Sequence, residues 1–276
     1  MSFTINTKKE SSCKNHKFCI YHHELSMEEL DHYIIQIMFD ETKLHQLFEP
    51  NTTFESKKRL NQLRRFIETD FKNKEEEITD GDIKERIKDN TNPSYFSFFA
   101  EALLARLNID YIDNELATAV ISVTETIKDG KTGADVCMFS DDNLVIGEAK
   151  FYSGLSAGLN AIIDDSSFTS KLDSYCTNII AADCEIIIKG ITGDIKEKSS
   201  EEIKKMPFTF TGFVLHTKNE KNNYDTHYEK IDGVIIDKMP GHFRIHLYHL
   251  PVKSKEELIF KVQRTALDLI VKLKSN

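Results

Sequence analysis

The chain has 276 residues, 40% of them apolar and 29% charged, which suits one large domain, or a core with an appended region, able to bury a sizeable core without staples. Its formal net charge of -9 speaks against a protein that coats nucleic acid through a basic surface, yet leaves room for a nuclease whose metal ions carry positive charge to the site. The five cysteines are scattered without a CxxC pair, the start MSFTINTKKESS has no apolar signal-like stretch, and no apolar run is long enough to span a bilayer; together these point to a reducing, cytoplasmic setting with no membrane contact.

Residues 1–90 read as helical and strongly charged, with no convincing strand. SMEEL at 26–30 is a capping box, in which Ser26 caps the amide three residues on and Glu29 reaches back. Leu30, Tyr33, Ile34, Ile37, Met38 and Leu44 then recur at helical spacing. Further helices are expected over about 54–72 and, capped by Asp80, over about 81–89. KKRLNQLRR at 57–65 puts five basic residues on the first of these, a solvated face or a surface for phosphates or an acidic partner. CKNHKFCIYHH spaces Cys13, His16, Cys19 and His22 three apart. Zinc sites pair close ligands with a distant second pair, so a loosely ordered segment is the better expectation there.

TNPSYFSFFAEALLARLN is different in kind. Asn92 caps a helix whose first position suits Pro93. Phe96, Phe99, Ala100, Leu103 and Leu107 form one stripe, and Phe98, Leu104 and Ala105 make much of the other side apolar, so this helix should be buried. Glu101 and Arg106 are five apart and poorly placed to pair, which leaves Glu101 a carboxylate in apolar company.

Strand signals follow: ATAVISVTET, a turn at Asp129-Gly130, ADVCMF, a second turn at SDDN, and LVIGEAKFY. A long helix is expected from about 156 to 180, then the strand CEIIIKG, a polar connector containing KEKSSEEIKK, and the strands FTFTGFVLHT, IDGVIID and FRIHLYHL. Ser254 and Glu257 form a second capping box before a final helix to about Lys272. The order predicts an α/β fold with a mixed central sheet flanked by helices rather than steady βαβ winding.

The chemistry concentrates in the hairpin. Glu148 and Lys150 lie two apart on one strand and share a face, and the preceding turn brings Asp135 on the neighbouring strand beside them. Phosphodiester hydrolysis calls for such a group: Mg²⁺ or Mn²⁺ takes oxygen ligands and retained waters, one of which becomes the nucleophile, and a lysine orients that water or stabilises charge on phosphorus. Glu101 and the carbonyl of Ala149 are candidate further ligands. The alternative is a surface strand with a Glu–Lys pair beside a turn aspartate, against which the apolar flanks of LVIG-E-A-K-FY weigh.

Asp135, Glu148-Ala149-Lys150 and upstream Glu101 resemble the PD-(D/E)xK, or restriction-endonuclease-like, nuclease motif, with Ala134 where that motif often has proline. More narrowly, GADVCMF…LVIGEAKFYSGLSAGLNAIIDD, within residues 90–180, resembles the HamA nuclease family of the Hachiman anti-phage system. That resemblance implies a metal-dependent deoxyribonuclease held with a HamB-like helicase subunit that senses aberrant DNA. It implies a nuclease domain over 91–276 behind a helical N-terminal region, 1–90, proposed as the docking surface for the partner.

Two other functions compete. GLSAG at 154–158 fits a serine-hydrolase nucleophile elbow, with Ser156 and then Asp225 or Asp232 and His242, His246 or His249 in chain order. Its feeding strand carries two charges, no oxyanion segment is visible, and the first hundred residues read as helical, so Gly154 as a turn and Ser156 as a helix cap is the better expectation. The other competitor is a non-catalytic binding or regulatory subunit on a nuclease-like fold. Asp164 and Asp165 lie near the motif or face water, and the chain has no Walker-type loop or dinucleotide fingerprint.

Overall fold

FTFTGFVLHT and FRIHLYHL are buried along nearly their whole length, the pattern of strands covered on both faces. They form the centre of the sheet. In the computed structural model the described residues are 4–12, 16–26, 29–31, 79, 81, 84–85, 96–123, 135–163, 186–190, 195–198, 200–217, 224–229 and 243–275. Their elements in chain order are β1 (Thr4–Ser12), β2 (His16–Glu24), α1 (Phe96–Tyr111), β3 (Ala117–Val123), β4 (Val136–Phe139), β5 (Leu144–Tyr152), α2 (Leu155–Ile163), β6 (Ile186–Gly190), β7 (Ile195–Lys198), α3 (Ser200–Lys205), β8 (Phe208–Thr217), α4 (Asp225–Glu229), β9 (Phe243–Val252) and α5 (Lys255–Ser275).

The strands form one nine-stranded mixed sheet in the order β1-β2-β9-β8-β5-β4-β3-β6-β7. β2, β9, β8 and β5 run parallel to one another. β4, β3, β6 and β7 continue from β5 as antiparallel neighbours, and β1 closes the other edge antiparallel to β2. The mixed α/β architecture expected from the sequence is therefore present.

The two faces of the sheet are covered by different helices. Gly147 on β5 shows which side α1 takes, since a Cβ there would meet Leu104 of α1 at 2.8 Å. That face holds a core of Ala100, Leu103, Leu107, Met138, Phe213, Tyr248 and Leu250, joined by Leu258 and Val262 of α5. On the opposite face a Cβ on Gly158 of α2 would meet Val214 Cγ1 at 2.3 Å. A side chain at Gly158 would push α2 off the sheet. The all-round apolar reading of α1 holds, with Ala100, Ala102, Leu103, Leu104, Ala105 and Leu107 all buried. Arg106 pairs with Asp110 one turn on (Nη2–Oδ1 2.9 Å) rather than with Glu101.

Several expectations are corrected. The start of the chain is not helical, because β1 and β2 occupy residues 4–12 and 16–24. β2 hid from the pattern because Ile20, Tyr21, His22 and His23 are all buried, so no apolar–polar alternation survives. Its partner β9 lies at the far end of the chain. β1 is an edge strand, exposed over residues 4–10, with no apolar face to read. The CKNHKFC run is an ordered strand from His16 onward, and strand geometry puts Cys19 and His22 on opposite faces, where they cannot share a zinc ion. The polar connector contains β7 and α3.

The first capping box forms in full: Ser26 Oγ accepts from the Glu29 amide at 3.1 Å, and the Ser26 amide donates to Glu29 Oε2 at 3.0 Å. The second forms by half. Ser254 Oγ accepts from the Glu257 amide at 3.1 Å, but its hydroxyl donates to Glu256 Oε2 at 3.0 Å, while Glu257 faces Lys261 at 3.9 Å. Gly81, Lys84 and Glu85 are helical as expected. The helix over 54–72 with its basic run 57–65, the Asp129-Gly130 turn, the helix beyond Ile163 with Asp164 and Asp165, and the strand IDGVIID lie outside the described residues.

His23 and His246 sit in the aromatic layer on the α1 face, where Tyr21 packs 5.4 Å from His246 and 5.2 Å from Tyr248, and Tyr111 packs 5.3 Å from His23. Burial pushes both histidines down to about 4; for His23 a hydrogen bond to the Thr4 backbone carbonyl opposes this and His22 adds to it, and for His246 Arg244 and Lys8 add to it while Glu10 opposes. Both are buried neutral, and the unfolded chain binds more protons than the folded one between the folded value and the ordinary one. Stability should therefore fall as pH drops from 6.5 toward 4, by up to roughly 3 kcal/mol per histidine. Urea-unfolding midpoints across that range should show the slope, and His23→Gln with His246→Gln should flatten it; an unchanged slope in the double variant would sink this account.

Candidate functional site

β4 and β5 pair with Val136 opposite Gly147, Cys137 opposite Ile146 and Phe139 opposite Leu144. One step further along the same register sets Asp135 opposite Glu148. There the backbone ladder ends and a side chain continues it: Asp135 Oδ2 accepts the amide of Ala149 at 2.8 Å. This bond fixes the aspartate at the junction and leaves its second oxygen for other partners.

The turn of the hairpin is tied to the end of α1. Ser140 Oγ donates to Asp113 Oδ2 at 2.5 Å, Asn143 Nδ2 donates to the same oxygen at 2.9 Å, and the Ser140 amide donates to the Asn143 carbonyl at 2.9 Å. One aspartate thus anchors the hairpin that carries the site.

Glu148 and Lys150 share the α2 face of β5. Glu148 is 2% exposed, beside Gly212 of β8, which is its register partner. A Cβ on Gly212 would meet Leu247 Cδ2 at 2.5 Å and Ile162 Cγ2 at 3.2 Å, so that position on β8 is closed by apolar side chains. Glycine at 147 has a matching reason on the other face, where a Cβ would meet Thr211 Oγ1 at 2.4 Å as well as Leu104.

Lys150 supplies the charge that a buried carboxylate needs. Its Nζ lies 3.0 Å from Glu148 Oε2 and 3.9 Å from Asp135 Oδ2. Burial of the ammonium lowers its pKa, but the charge and hydrogen bond of Glu148 and the charge of Asp135 together outweigh that, and the net shift is upward. The lysine is a cation at neutral pH.

The structure thus brings Asp135, Glu148 and Lys150 together. Glu101 lies on α1, half-buried, one turn before Leu104 and on the helix that covers the other face of β5. Ala149 is buried in the paired strand with its amide on Asp135. Ser156 falls inside the first turn of α2 instead of capping it: Gly154 is the residue before the helix, and its carbonyl accepts the Gly158 amide at 3.2 Å. Of the histidines considered for a hydrolase, His246 and His249 lie on opposite faces of β9 by strand alternation, and Asp232 and His242 lie outside the described residues.

Among the described residues no group of three or more His, Cys, Asp or Glu side chains is gathered in metal-binding geometry. The donor set still suits a hard divalent cation. Two carboxylates converge on a single cationic centre, the Lys150 ammonium, and Mg²⁺ commonly takes one or two carboxylates and keeps several waters.

Sequence reasoning missed a histidine–tyrosine cluster on the same face. Lys150 pairs with Val214, Val214 with His249, and His249 with His22, so one row crosses four strands. His216 Nδ1 faces the Thr217 carbonyl at 3.0 Å and must carry the proton, which makes its Nε2 the acceptor for His249 Nδ1–H at 3.2 Å. His249 Nε2 then accepts from the Tyr228 hydroxyl at 2.7 Å. His22 stacks on His249 at 4.7 Å and 9°, and Tyr224 meets both rings edge-on. A signal existed: the buried runs CIYHH, FVLH and LYH each end in histidine, and the C-terminal ends of parallel strands fall together.

No helix among the described residues is long and apolar enough to cross a membrane. No curated protein and no solved structure matches the chain significantly. The HamA family model matches residues 3–266, from the first strand into the last helix. The chain belongs to the HamA family, and is thereby a component of the Hachiman anti-phage defence system.

Proposed function

We propose that this chain is the nuclease of its defence system, a metal-dependent deoxyribonuclease that hydrolyses phosphodiester bonds and works with a HamB-like helicase subunit. One observation carries the reading: Lys150 stands between Glu148, at 3.0 Å, and Asp135, at 3.9 Å, with the glutamate almost wholly out of water. A surface ion pair would not need that burial. A non-catalytic subunit would keep a desolvated carboxylate for no gain, since replacing a buried ion pair by apolar groups is often neutral or stabilising.

In this reading Asp135 and Glu148 would hold Mg²⁺ or Mn²⁺, and Glu101, on the helix over the other face of β5, and the Ala149 carbonyl are the further candidate oxygens. The ion, when bound, makes a water acidic enough to act as nucleophile and offsets phosphate charge. Asp135 is held in place by the Ala149 amide, which would leave its other oxygen for a cation. Lys150 would donate a hydrogen bond to the attacking water or to a phosphoryl oxygen and stabilise the charge that grows there. The helicase partner supplies any ATP-driven step, because this chain has no phosphate-binding loop. The acidic net charge of -9 fits a subunit whose DNA is delivered to it.

Plasmid degradation by the full chain, alone and with the helicase subunit, tests the activity. Cutting should occur with Mg²⁺ or Mn²⁺, stop with EDTA, and fall by about two orders of magnitude or more in Glu148→Ala and in Lys150→Ala. Ser156→Ala should cut normally; loss of cutting in that variant with Glu148→Ala intact would reverse the assignment.

Direct Mn²⁺ titration, read by calorimetry, separates the ligands from the lysine. Asp135→Asn and Glu148→Gln should each abolish binding or weaken it by about tenfold or more. Glu101→Gln should weaken it as well, and binding equal to wild type would remove Glu101 from the ligand set. Lys150→Met should bind Mn²⁺ at least as tightly as wild type, because a competing cation is gone, while remaining inactive.

A further inference from the structure

We infer that Tyr152 contacts the DNA directly, stacking on an unpaired base beside the scissile phosphate, and that the site prefers single-stranded or frayed DNA for this reason; the inference rests on the nuclease reading above. Glu148, Lys150 and Tyr152 occupy alternate positions of β5 and so lie on one face in a line. Each step along that line is roughly 6.6 Å, so a phosphate held at Lys150 puts the neighbouring nucleotide within reach of the Tyr152 ring.

Exposure singles this residue out. Along β5, exposure rises from the buried Glu148 through the half-buried Lys150 to Tyr152 at 36%. Among the described residues the only exposed large hydrophobic side chains are Tyr152 and Ile5, the latter on the far edge strand. The exposed aromatic ring is thus two residues from the lysine of the candidate centre, on the same face of β5. Its register partner on β8, His216, is 1% exposed and engaged with Thr217 and His249. His216 thus forms a fixed wall, and the ring of Tyr152 is left toward solvent.

An aromatic face in such a place offers a flat, sequence-tolerant surface for a nucleobase, the means by which proteins hold single strands without reading sequence. Bases inside an intact duplex are already stacked on their neighbours and offer no free face. The stack therefore discriminates in favour of an unpaired nucleotide, the product that a helicase generates.

The test uses the full chain as wild type, Tyr152→Phe and Tyr152→Ser. Binding is followed by quenching of 2-aminopurine in a single-stranded oligonucleotide in EDTA, and cleavage is followed on the same strand and on a closed duplex with Mg²⁺. Wild type should quench on binding and cut the single strand in preference to the duplex. Tyr152→Phe should match it, while Tyr152→Ser should lose quenching, bind about tenfold more weakly or worse, and lose the preference for the single strand through KM. The urea-unfolding midpoint should be unchanged, as the side chain is exposed.

If Tyr152→Ser quenches, binds and cuts like wild type while Glu148→Ala is dead, the stacking role falls and the nuclease reading stands. If Tyr152→Ser keeps full cleavage but no longer binds the helicase subunit, the ring belongs to a protein interface and the inference is overturned. If wild type neither binds nor cuts DNA with any metal, alone or with its partner, both fall together.

Discussion

A carboxylate at 2% exposure inside a β-sheet is the constraint on which this end of the molecule depends. Taking such a charge out of water costs several kcal/mol unless a counter-charge is at hand, and strand periodicity puts Lys150 on the same face to provide it. The register of β4 against β5 then brings Asp135 to the same place, where it ends the ladder by taking the Ala149 amide. Gly212 leaves the neighbouring strand without a side chain, so Leu247 and Ile162 close over that position. Each of these devices is local, but they work only because β8, far along the chain, lies beside β5.

The two faces of the parallel block have taken on different roles. On the α1 side, aromatic rings and two neutral histidines fill a core that α5 closes, and Thr265 of α5 donates to the buried Asp31 at 2.7 Å. On the α2 side, the C-terminal ends of β5, β8, β9 and β2 collect Lys150, His216, His249 and His22. Crevices at the carboxyl ends of parallel strands are where α/β folds place ligands. The chain Tyr228 to His249 to His216 to the Thr217 carbonyl has one self-consistent set of tautomers, with every proton position determined by the carbonyl at its end. Such a network fixes its members against one another, and it also seats α4, whose Asp225 reaches Lys9 on the edge strand.

Much of the antiparallel half was legible in the sequence, because its signals are local. The hairpin of ADVCMF and LVIGEAKFY, the short SDDN turn and the capping box at Ser26 each depend on neighbours a few residues apart, and each is found. So is the buried character of α1, since a helix with Ala and Leu on every side has no solvent face. The legible part failed where local pattern and burial part company. β2 is covered on both faces, so its alternation is masked, and β1 is exposed over residues 4–10, so it has no apolar stripe. The Ser254 box shows the same limit at smaller scale, with the Glu257 carboxylate facing Lys261 instead of reaching back to Ser254, and the Ser254 hydroxyl donating to Glu256.

By itself the sequence determined the side chains of the candidate site: an aspartate, then E-A-K on an apolar strand, with spacing that puts Glu148 and Lys150 on one face. It determined this because strand periodicity is a property of the backbone and needs no distant partner. Only the tertiary structure decided that Glu148 is sealed from water, that three histidines ending three separate strands stack into one cluster, and that Tyr152 remains in the open beside Lys150. Those facts follow from the order in which strands distant in sequence lie side by side, which is set by the burial of whole faces and is written in no single stretch of the chain.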